Sequence, residues 1–382
     1  MSHITTPFAE LLQLIPRHVF QNLERRHACG RSSRKFGFKE QFTVMGFIML
    51  AASRSLRDAV SSLQAQGSRL YHWGLNKVCR STVSAANRTR PWEFFEDLYF
   101  EVCKICIQRA PKHQFPFKNK VFSVDSTIIS LTAKVFEWAS FRSSKNGVKI
   151  HTVLDHDGQI PTFVTISEAR LHDSQALEKM NFPKGSFVVF DRAYSAVKWF
   201  CQLCKKDICF VTRFKRGTKV KLIEKYQVDR SSGVTSDHLV EMSNGNESIS
   251  VRKIGYRDQE THKHYVFLTN NFELPAKIIA DLYKSRWQIE VFFKEIKQFL
   301  KIKKFVGTNE NAVRIQIYTA LTAYLLLAMQ KFISKLGISV GKLFQLLQLN
   351  LVGSRRIDDI LNPKAQKRKN LYDYSLLQFK AS

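Results

Sequence analysis

The spacing of apolar positions changes three times along the chain. Over residues 1–110 it is helical, with Pro-free runs such as Phe42 to Ala52, and Ser55 stands where it would cap a helix running towards Gln64. After Gly67 and Gly74, Ser81-Thr-Val-Ser-Ala-Ala-Asn-Arg88 reads as a short helix with a Ser N-cap, and its exposed Thr82, Ser84, Asn87 and Arg88 suit the DNA-contacting recognition helix of a helix-turn-helix-like module, although any capped surface helix would look alike. From Lys120 short β-rich runs take over: Val121–Asp125, Val148–Leu154, Ile160–Ser167, Phe187–Phe190 and Ile208–Thr212. Asp155-His-Asp-Gly158 joins two of them as a turn rather than a calcium loop, because the remaining ligands of such a loop are missing. Ser174–Met180 and Ser195–Lys206 read as helices, so the whole predicts a mixed α/β sheet.

Residues 213–270 alternate polar and apolar positions and are rich in Ser, Gly and Asn, which predicts a β-rich insertion. Helices resume at Pro275–Tyr283, Arg286–Leu300 and Ala312–Lys335. The expected organisation is a helical DNA-binding region over 1–117, a sheet domain made of 118–212 and 271–335, the insertion at 213–270, and a basic segment over 336–382 that holds Arg355-Arg356 and Lys367-Arg-Lys369. The charge-free part of Ile315 to Met329 falls short of the ~20 residues of a membrane span and predicts a buried helix. The first residues lack the basic lead and apolar core of a secretory signal, and seven cysteines without a secretory context predict reduced thiols in a cytoplasm.

Charge adds a partner. The chain carries 60 Lys and Arg against 32 Asp and Glu, a net +28. Residues 1–118 hold 18 basic and 8 acidic side chains, 119–290 hold 26 and 19, and 291–382 hold 16 and 5. Both flanks are therefore strongly basic while the middle keeps most of the acids. Self-repulsion on this scale is relieved by a polyanion, and nucleic acid is the expected one.

The acids in the middle suggest chemistry. Asp125 ends the run Val121-Phe-Ser-Val-Asp, and Asp191 ends Phe187-Val-Val-Phe-Asp. A carboxylate at the C-terminal end of a buried strand lies at the sheet rim, where a cation or ligand can reach it; the plain alternative is an Asp that caps the next turn. Tyr283, Arg286, Glu290 and Lys297 fall within an arc of about 60° at 3.6 residues per turn, with Leu282, Ile289, Phe292, Ile296 and Phe299 opposite. One face then packs inward while the other presents a carboxylate among phenol, guanidinium and ammonium groups. A solvated amphipathic face with an Arg286–Glu290 pair would show the same spacing.

Tyr283-x2-Arg286-x3-Glu290-x6-Lys297 resembles the signature of the insertion-sequence "four" group of DDE transposases, and Val124-Asp125-Ser-Thr127 and Asp191-Arg-Ala-Tyr194 precede it in the right order. Lys149-x-His151-Thr and Ala169-x-x-His172-Asp-Ser are similar to that group's spacer. The resemblance covers roughly residues 118–300 well and the N-terminal helical region more loosely. It implies a ribonuclease-H-like sheet flanked by helices, with Asp125 on the first strand, Asp191 just after the fourth and Glu290 on a later helix. It also implies that these three acids are catalytic and hold two Mg²⁺, or Mn²⁺ in their place. Tyr283, Arg286, Lys294 and Lys297 would bind DNA phosphates, and Trp287 would stack on a base displaced when the DNA end forms a hairpin. The implied partners are double-stranded DNA, as transposon ends and target, and a second copy of the chain in a synaptic dimer acting at a bacterial nucleoid. Related enzymes carry a stacking Trp in the insertion; 213–270 has none, which leaves Tyr226 or Tyr256 as substitutes.

Other patterns point less far. Cys103-x-x-Cys106 and Cys201-x-x-Cys204 suit core packing better than zinc, since both fall in helical stretches without knuckle glycines. His151 and His172 fit either a supporting role at a metal site or ordinary strand and turn positions. Two other classes stay open here. An aspartyl phosphatase would use Asp125 as nucleophile but normally wants an acid where Thr127 stands. A silent, transposase-derived DNA-binding protein would keep the fold without the chemistry.

Overall fold

The computed structural model describes residues 6–361 apart from 28–35, 52, 54, 132–146, 169–176, 178–179, 244, 246, 301–304 and 336. The sheet starts at β1 (Val121–Ser130), whose first half is the apolar run Val121–Val124, followed by β2 (Gly147–Asp155), β3 (Ile160–Glu168), β4 (Phe187–Phe190) and β5 (Cys209–Arg213). β1 pairs antiparallel with β2, which pairs antiparallel with β3, whereas β4 and β5 run parallel to β1. The spatial order 3-2-1-4-5 with these senses is the ribonuclease-H-like arrangement expected from the sequence.

β1 is longer than the apolar run suggested. It continues past Asp125 through Ser126-Thr-Ile-Ile-Ser130, whose β-branched residues pair with β2; Ile129 is buried, while Thr127 and Ile128 are partly exposed. Alternation then sorts the two faces. Phe122, Val124, Val188, Phe190 and Phe210 pack with Trp199, Phe200 and Leu203, whose helix fills one face. Val121, Phe187, Val189 and Val211 face the other side, against Ile279, Ala280, Leu282 and Tyr283.

The insertion does not form a separate body. Its strands β6 (Lys221–Lys225), β7 (Val234–Ser243), β8 (Ser248–Arg257) and β9 (His264–Thr269) join the same sheet, because β9 pairs antiparallel with β5. The described residues thus give nine strands in the order β3-β2-β1-β4-β5-β9-β8-β7-β6. A buried fork holds this half: Arg252 Nε lies 2.8 Å and 3.1 Å from the two carboxylate oxygens of Asp237, and its Nη1 donates to the Leu274 carbonyl at 2.6 Å.

Helices precede and follow the sheet. Ahead of it come α1 (Pro7–Gln13), α2 (Arg17–Arg26), α3 (Phe38–Leu50), α4 (Leu56–Gln64), α5 (Arg80–Thr89) and α6 (Glu93–Ile107). α7 (Val197–Lys205) lies between β4 and β5, and α8 (Ala276–Ser285), α9 (Trp287–Leu300), α10 (Glu310–Ile333), α11 (Val340–Asn350) and α12 (Ile357–Leu361) follow β9. Ser55 caps α4 as expected, its side chain accepting the Asp58 N–H at 3.1 Å. Among the described residues, α10 alone is long and apolar enough to cross a membrane, but it is a core helix, buried along nearly its whole length. Cys103 and Cys106 are buried in α6, and burial pushes the Cys103 thiol up to about 12, as core packing requires.

Two expectations for α5 need correction. The helix begins at Arg80 after Cys79, so Ser81 lies inside it and does not cap it. Asn87 is only 2% exposed; its carboxamide accepts from Gln41 at 2.8 Å and therefore cannot read DNA, while Thr82, Ser84 and Arg88 are exposed. His172, the basic Lys367-Arg-Lys369, and the helix expected at 174–180 apart from Leu177 and Met180 lie outside the described residues.

At the end of β1 remote from Asp125, the Asp155–Gly158 turn is clamped by Lys120. Its ammonium lies 2.6 Å from Asp155 and 2.7 Å from Asp157, both buried, and Lys112 reaches Asp157 at 3.0 Å. Gly158 takes φ +69°, and a side chain there would meet the Phe332 ring at 2.8 Å.

Candidate active site

Strand register brings the first charges together. Val124 pairs with Phe190 and Phe190 with Thr212, so the next residue on each of the three parallel strands is Asp125, Asp191 and Arg213. Adjacent strands lie about 4.8 Å apart, which makes these three a single row across the sheet. Each is an odd step from the residues packed under α7, so all three face the α8 side. Arg213 was missed in the sequence, although it follows an apolar strand just as Asp191 does.

The helical residues descend onto this row. Tyr283 is on α8 and Glu290 on α9, and the two helices meet at Arg286 instead of running on as one. There the Arg286 N–H bonds to Tyr283 O at 3.1 Å and the Ile289 N–H to Arg286 O at 3.0 Å, a tighter three-residue winding. The spacing of Tyr283, Arg286, Glu290 and Lys297 therefore does not describe one straight stripe. Arg286 aims inward: its Nη1 is 2.8 Å from Asp125 Oδ2 and its Nη2 is 2.5 Å from Glu290 Oε1. One guanidinium thus ties the strand acid to the helix acid.

Burial pushes the Asp125 carboxyl up to about 6; the Ser126 N–H and Arg286 oppose the rise, while the charges of Asp191 and Glu290 add to it. Asp191 accepts the Ala193 N–H at 3.0 Å and so also caps the turn Arg192–Tyr194. Burial raises the Tyr283 phenol too, with its ring 4.9 Å from Phe267. Leu282, Ile289, Phe292 and Ile296 are buried as expected. Lys294 and Lys297 are exposed and line an open cleft with Asp125, Thr127 and Glu290.

Beside this cleft is a cavity of about 390 Å³ whose walls include Arg213, Tyr256, Tyr265, Phe267, Tyr283 and Trp287. Trp287 is 62% exposed. Of the two tyrosines considered as substitutes for the missing insertion Trp, Tyr256 lines the cavity but is buried, and Tyr226 follows the outermost strand, where its N–H bonds to Asp237. Tyr265 was not foreseen; the alternation His264-Tyr-Val-Phe-Leu-Thr269 would have placed it with Phe267. The Arg213 guanidinium lies 5.2 Å above its ring. His151 pairs with Ser126 in register, so it faces away from Asp125, and its Nε2 meets Ser167 Oγ at 3.0 Å. A supporting role at a site on the Asp125 face is therefore excluded for it.

Among the described residues no three carboxylate, imidazole or thiol groups are arranged to hold a metal ion. The donors nevertheless fit one in kind. Asp125, Asp191 and Glu290 are hard oxygen donors, and the negative charges of Asp191 and Glu290 add to the rise that burial gives the Asp125 carboxyl, a repulsion that a divalent cation would relieve.

Residues 116–326, more than half of the chain, match the family model described as a transposase DDE domain. The chain belongs to the DDE transposases. This transposase is 32% identical over 249 residues to a protein of Sinorhizobium fredii named as a transposase (y4zB), a match covering 63% of this chain and 69% of that one. It is 29% identical over 302 residues to a protein of Geobacillus stearothermophilus named as the transposase of insertion sequence element IS5377, covering 78% and 77% of the two chains. Residues 3–76 match a domain of unknown function. Among solved structures, the piggyBac transposase synaptic complex with hairpin DNA aligns over 94% of this chain and 80% of that one, at 11% identity and a TM-score of 0.44, too remote to bear on the site. The transposase is thus an enzyme that cuts DNA and transfers strands, with DNA as its partner, from a family that generally uses divalent metal.

Proposed function

We propose that this transposase moves an insertion sequence by cut-and-paste, with Asp125, Asp191 and Glu290 as its catalytic acids. The observation that carries the reading is the meeting of Asp125 and Glu290, 165 positions apart in the chain, on a single Arg286 guanidinium beside the row that holds Asp191. The three acids would hold two Mg²⁺ ions, or Mn²⁺, which supply Lewis-acid activation of an oxygen nucleophile and of the leaving oxygen at phosphorus. Arg286, Tyr283, Lys294 and Lys297 hold phosphates at the cleft, where fixed positive charge favours the extra negative charge of the transition state. No covalent protein–DNA intermediate is required, unlike the phosphatase reading.

The aromatic cavity supports a hairpin step. Trp287, exposed at the wall of this cavity, offers a displaced base a flat surface to stack on, replacing the absent insertion Trp. Base stacking of this kind contributes about 1–3 kcal/mol. Trp287→Ala is therefore expected to lower hairpin relative to nicked product about tenfold, read on a denaturing gel; an unchanged ratio would remove Trp287 from the step.

The N-terminal region, taken as 1–117, would grip transposon ends. Residues 59–92 contain no acid but hold Arg69, Lys77, Arg80, Arg88 and Arg90, and α5 exposes Thr82, Ser84 and Arg88. The complex acts as a synaptic dimer at the bacterial nucleoid. Metal removal tests the core of the reading. Complexes with a supercoiled plasmid carrying the gene and its flanks should form in EDTA without nicking, and nick once Mg²⁺ or Mn²⁺ is added. Binding without nicking under both metals would favour the silent derivative instead.

A further inference from the structure

Glu290 has a neighbour on the same helix that the chemistry above does not use. Glu295 is 9% exposed and lies five residues further along α9, about 140° round the helix, on the side away from the catalytic row. Its Oε1 accepts the Gly341 N–H at the start of α11, at 2.8 Å. The Tyr324 phenol of α10 hydrogen-bonds the same carboxylate, and Lys331 lends charge from the same helix. Phe292, one turn earlier on α9, meets the Tyr324 ring edge-on at 5.1 Å.

Two features argue for more than packing. A carboxylate is costly to bury, and an apolar side chain would fill this site without that cost. Gly341 is also fitted to the acid: a side chain there would come within 2.9 Å of Glu295 Oε1, whose movement Tyr324 restricts. Three helices therefore meet at one polar point that fixes both the height and the rotation of α9.

We propose that Glu295 is a positioning residue for strand cleavage: its carboxylate, shared between Tyr324 and the Gly341 amide, sets the rotation of α9 and hence the place of Glu290. The inference rests on the reading of Glu290 as a catalytic acid. The lever is sensitive. A carboxylate roughly 6 Å from the helix axis moves about 1 Å when the helix turns by about 10°. Displacement on that scale can cost about 10²-fold in rate. On this view α11, within the segment beyond the sheet domain, belongs to the catalytic apparatus.

The test compares Glu295→Ala, Glu295→Gln and Gly341→Ala on the supercoiled plasmid carrying the gene and its flanks. Turnover is measured at saturating Mg²⁺, plasmid affinity in EDTA, and the Mg²⁺ concentration for half-maximal rate separately. Glu295→Ala should lower turnover about 10- to 100-fold and raise the half-maximal Mg²⁺, with plasmid affinity changed by no more than about twofold. Glu295→Gln, whose amide oxygen accepts the same two hydrogen bonds, should recover to within about threefold of the parent. Gly341→Ala, which presses on the carboxylate, should repeat the split between turnover and affinity. Full turnover in folded Glu295→Ala, equal loss of turnover and affinity, or a Gln variant no better than Ala would overturn the proposal. Should Glu295→Ala not fold, Gly341→Ala with unchanged kinetics would overturn it alone. Glu290→Ala separates the two readings: nicking by that variant sinks the catalytic assignment, while a dead Glu290→Ala beside a fully active Glu295→Ala sinks only the positioning role.

Discussion

Asp125→Ala, Asp191→Ala and Glu290→Ala are each expected to lower strand cleavage by at least about 10³-fold while the protein still binds DNA. The size follows from the chemistry. Losing several kcal/mol of charge stabilisation at a phosphoryl centre corresponds to about tenfold per 1.4 kcal/mol. Binding survives because phosphate contacts come from Lys294, Lys297 and the basic flanks, and removing an acid from a cationic surface does not weaken them. The folded state should also survive. Burial already raises the Asp125 carboxyl to about 6, so its ionised form gains nothing from folding, and Asp125→Ala should melt no lower than the parent. Asn or Gln replacements, which keep shape but lose the charge, should be equally inactive. The measurement is nicking in Mg²⁺ beside plasmid retention in EDTA and a thermal melt. Parental nicking by any one of the three variants would dissolve the catalytic assignment.

Lys120→Ala should cause a large loss of stability, about 3–5 kcal/mol, seen as a fall in Tm of roughly 4–6 °C. Its ammonium is the shared counter-ion of two buried carboxylates, and removing one partner of a buried pair strands the other. Asp157 keeps Lys112 and the His113 N–H at 2.9 Å, whereas Asp155 keeps only the N–H of Asp157 from within the turn. The pH dependence adds a second check. Burial pushes the Asp157 carboxyl up, but Lys120, the His113 N–H and Lys112 outweigh it and hold the group at about 2. A depressed carboxyl stabilises the fold above its ordinary value near 4, and that stabilisation is lost as the pH falls from about 4 to about 2. Lys120→Ala should flatten this part of the acid-unfolding curve. Unchanged Tm and unchanged acid unfolding would mean that the clamp contributes nothing.

The strands and the two aspartates were legible because alternation and apolar runs record which side chains face inward. Asp191 directly follows Phe190, as the apolar run implied. Asp125 was read as a strand end, yet only its parallel partner stops there; β1 itself continues, because polar and β-branched side chains pair with β2 without forming an apolar run. Arg213 and Tyr265 escaped notice for a related reason. Their importance comes from register between strands that are distant in sequence, and no local spacing encodes it. The helical signature was only partly geometric: Arg286 and Glu290 meet as an i, i+4 pair, but the junction at Arg286 breaks the stripe that links Tyr283 to Lys297. Asn87 was misplaced because a small polar side chain in a helix looks the same whether it meets water or a buried Gln41.

The joining of β9 to β5 has a practical corollary for anyone seeking a minimal nuclease. Excising 213–270 would strip β5 of its neighbour and leave a bare backbone edge open to aggregation. It would also remove Phe267 from beneath Tyr283 and Leu274 from the grip of Arg252. The segment interrupts the sequence of the nuclease, but the scaffold under the cleft is a single slab, and a shortened version should precipitate before it can be assayed.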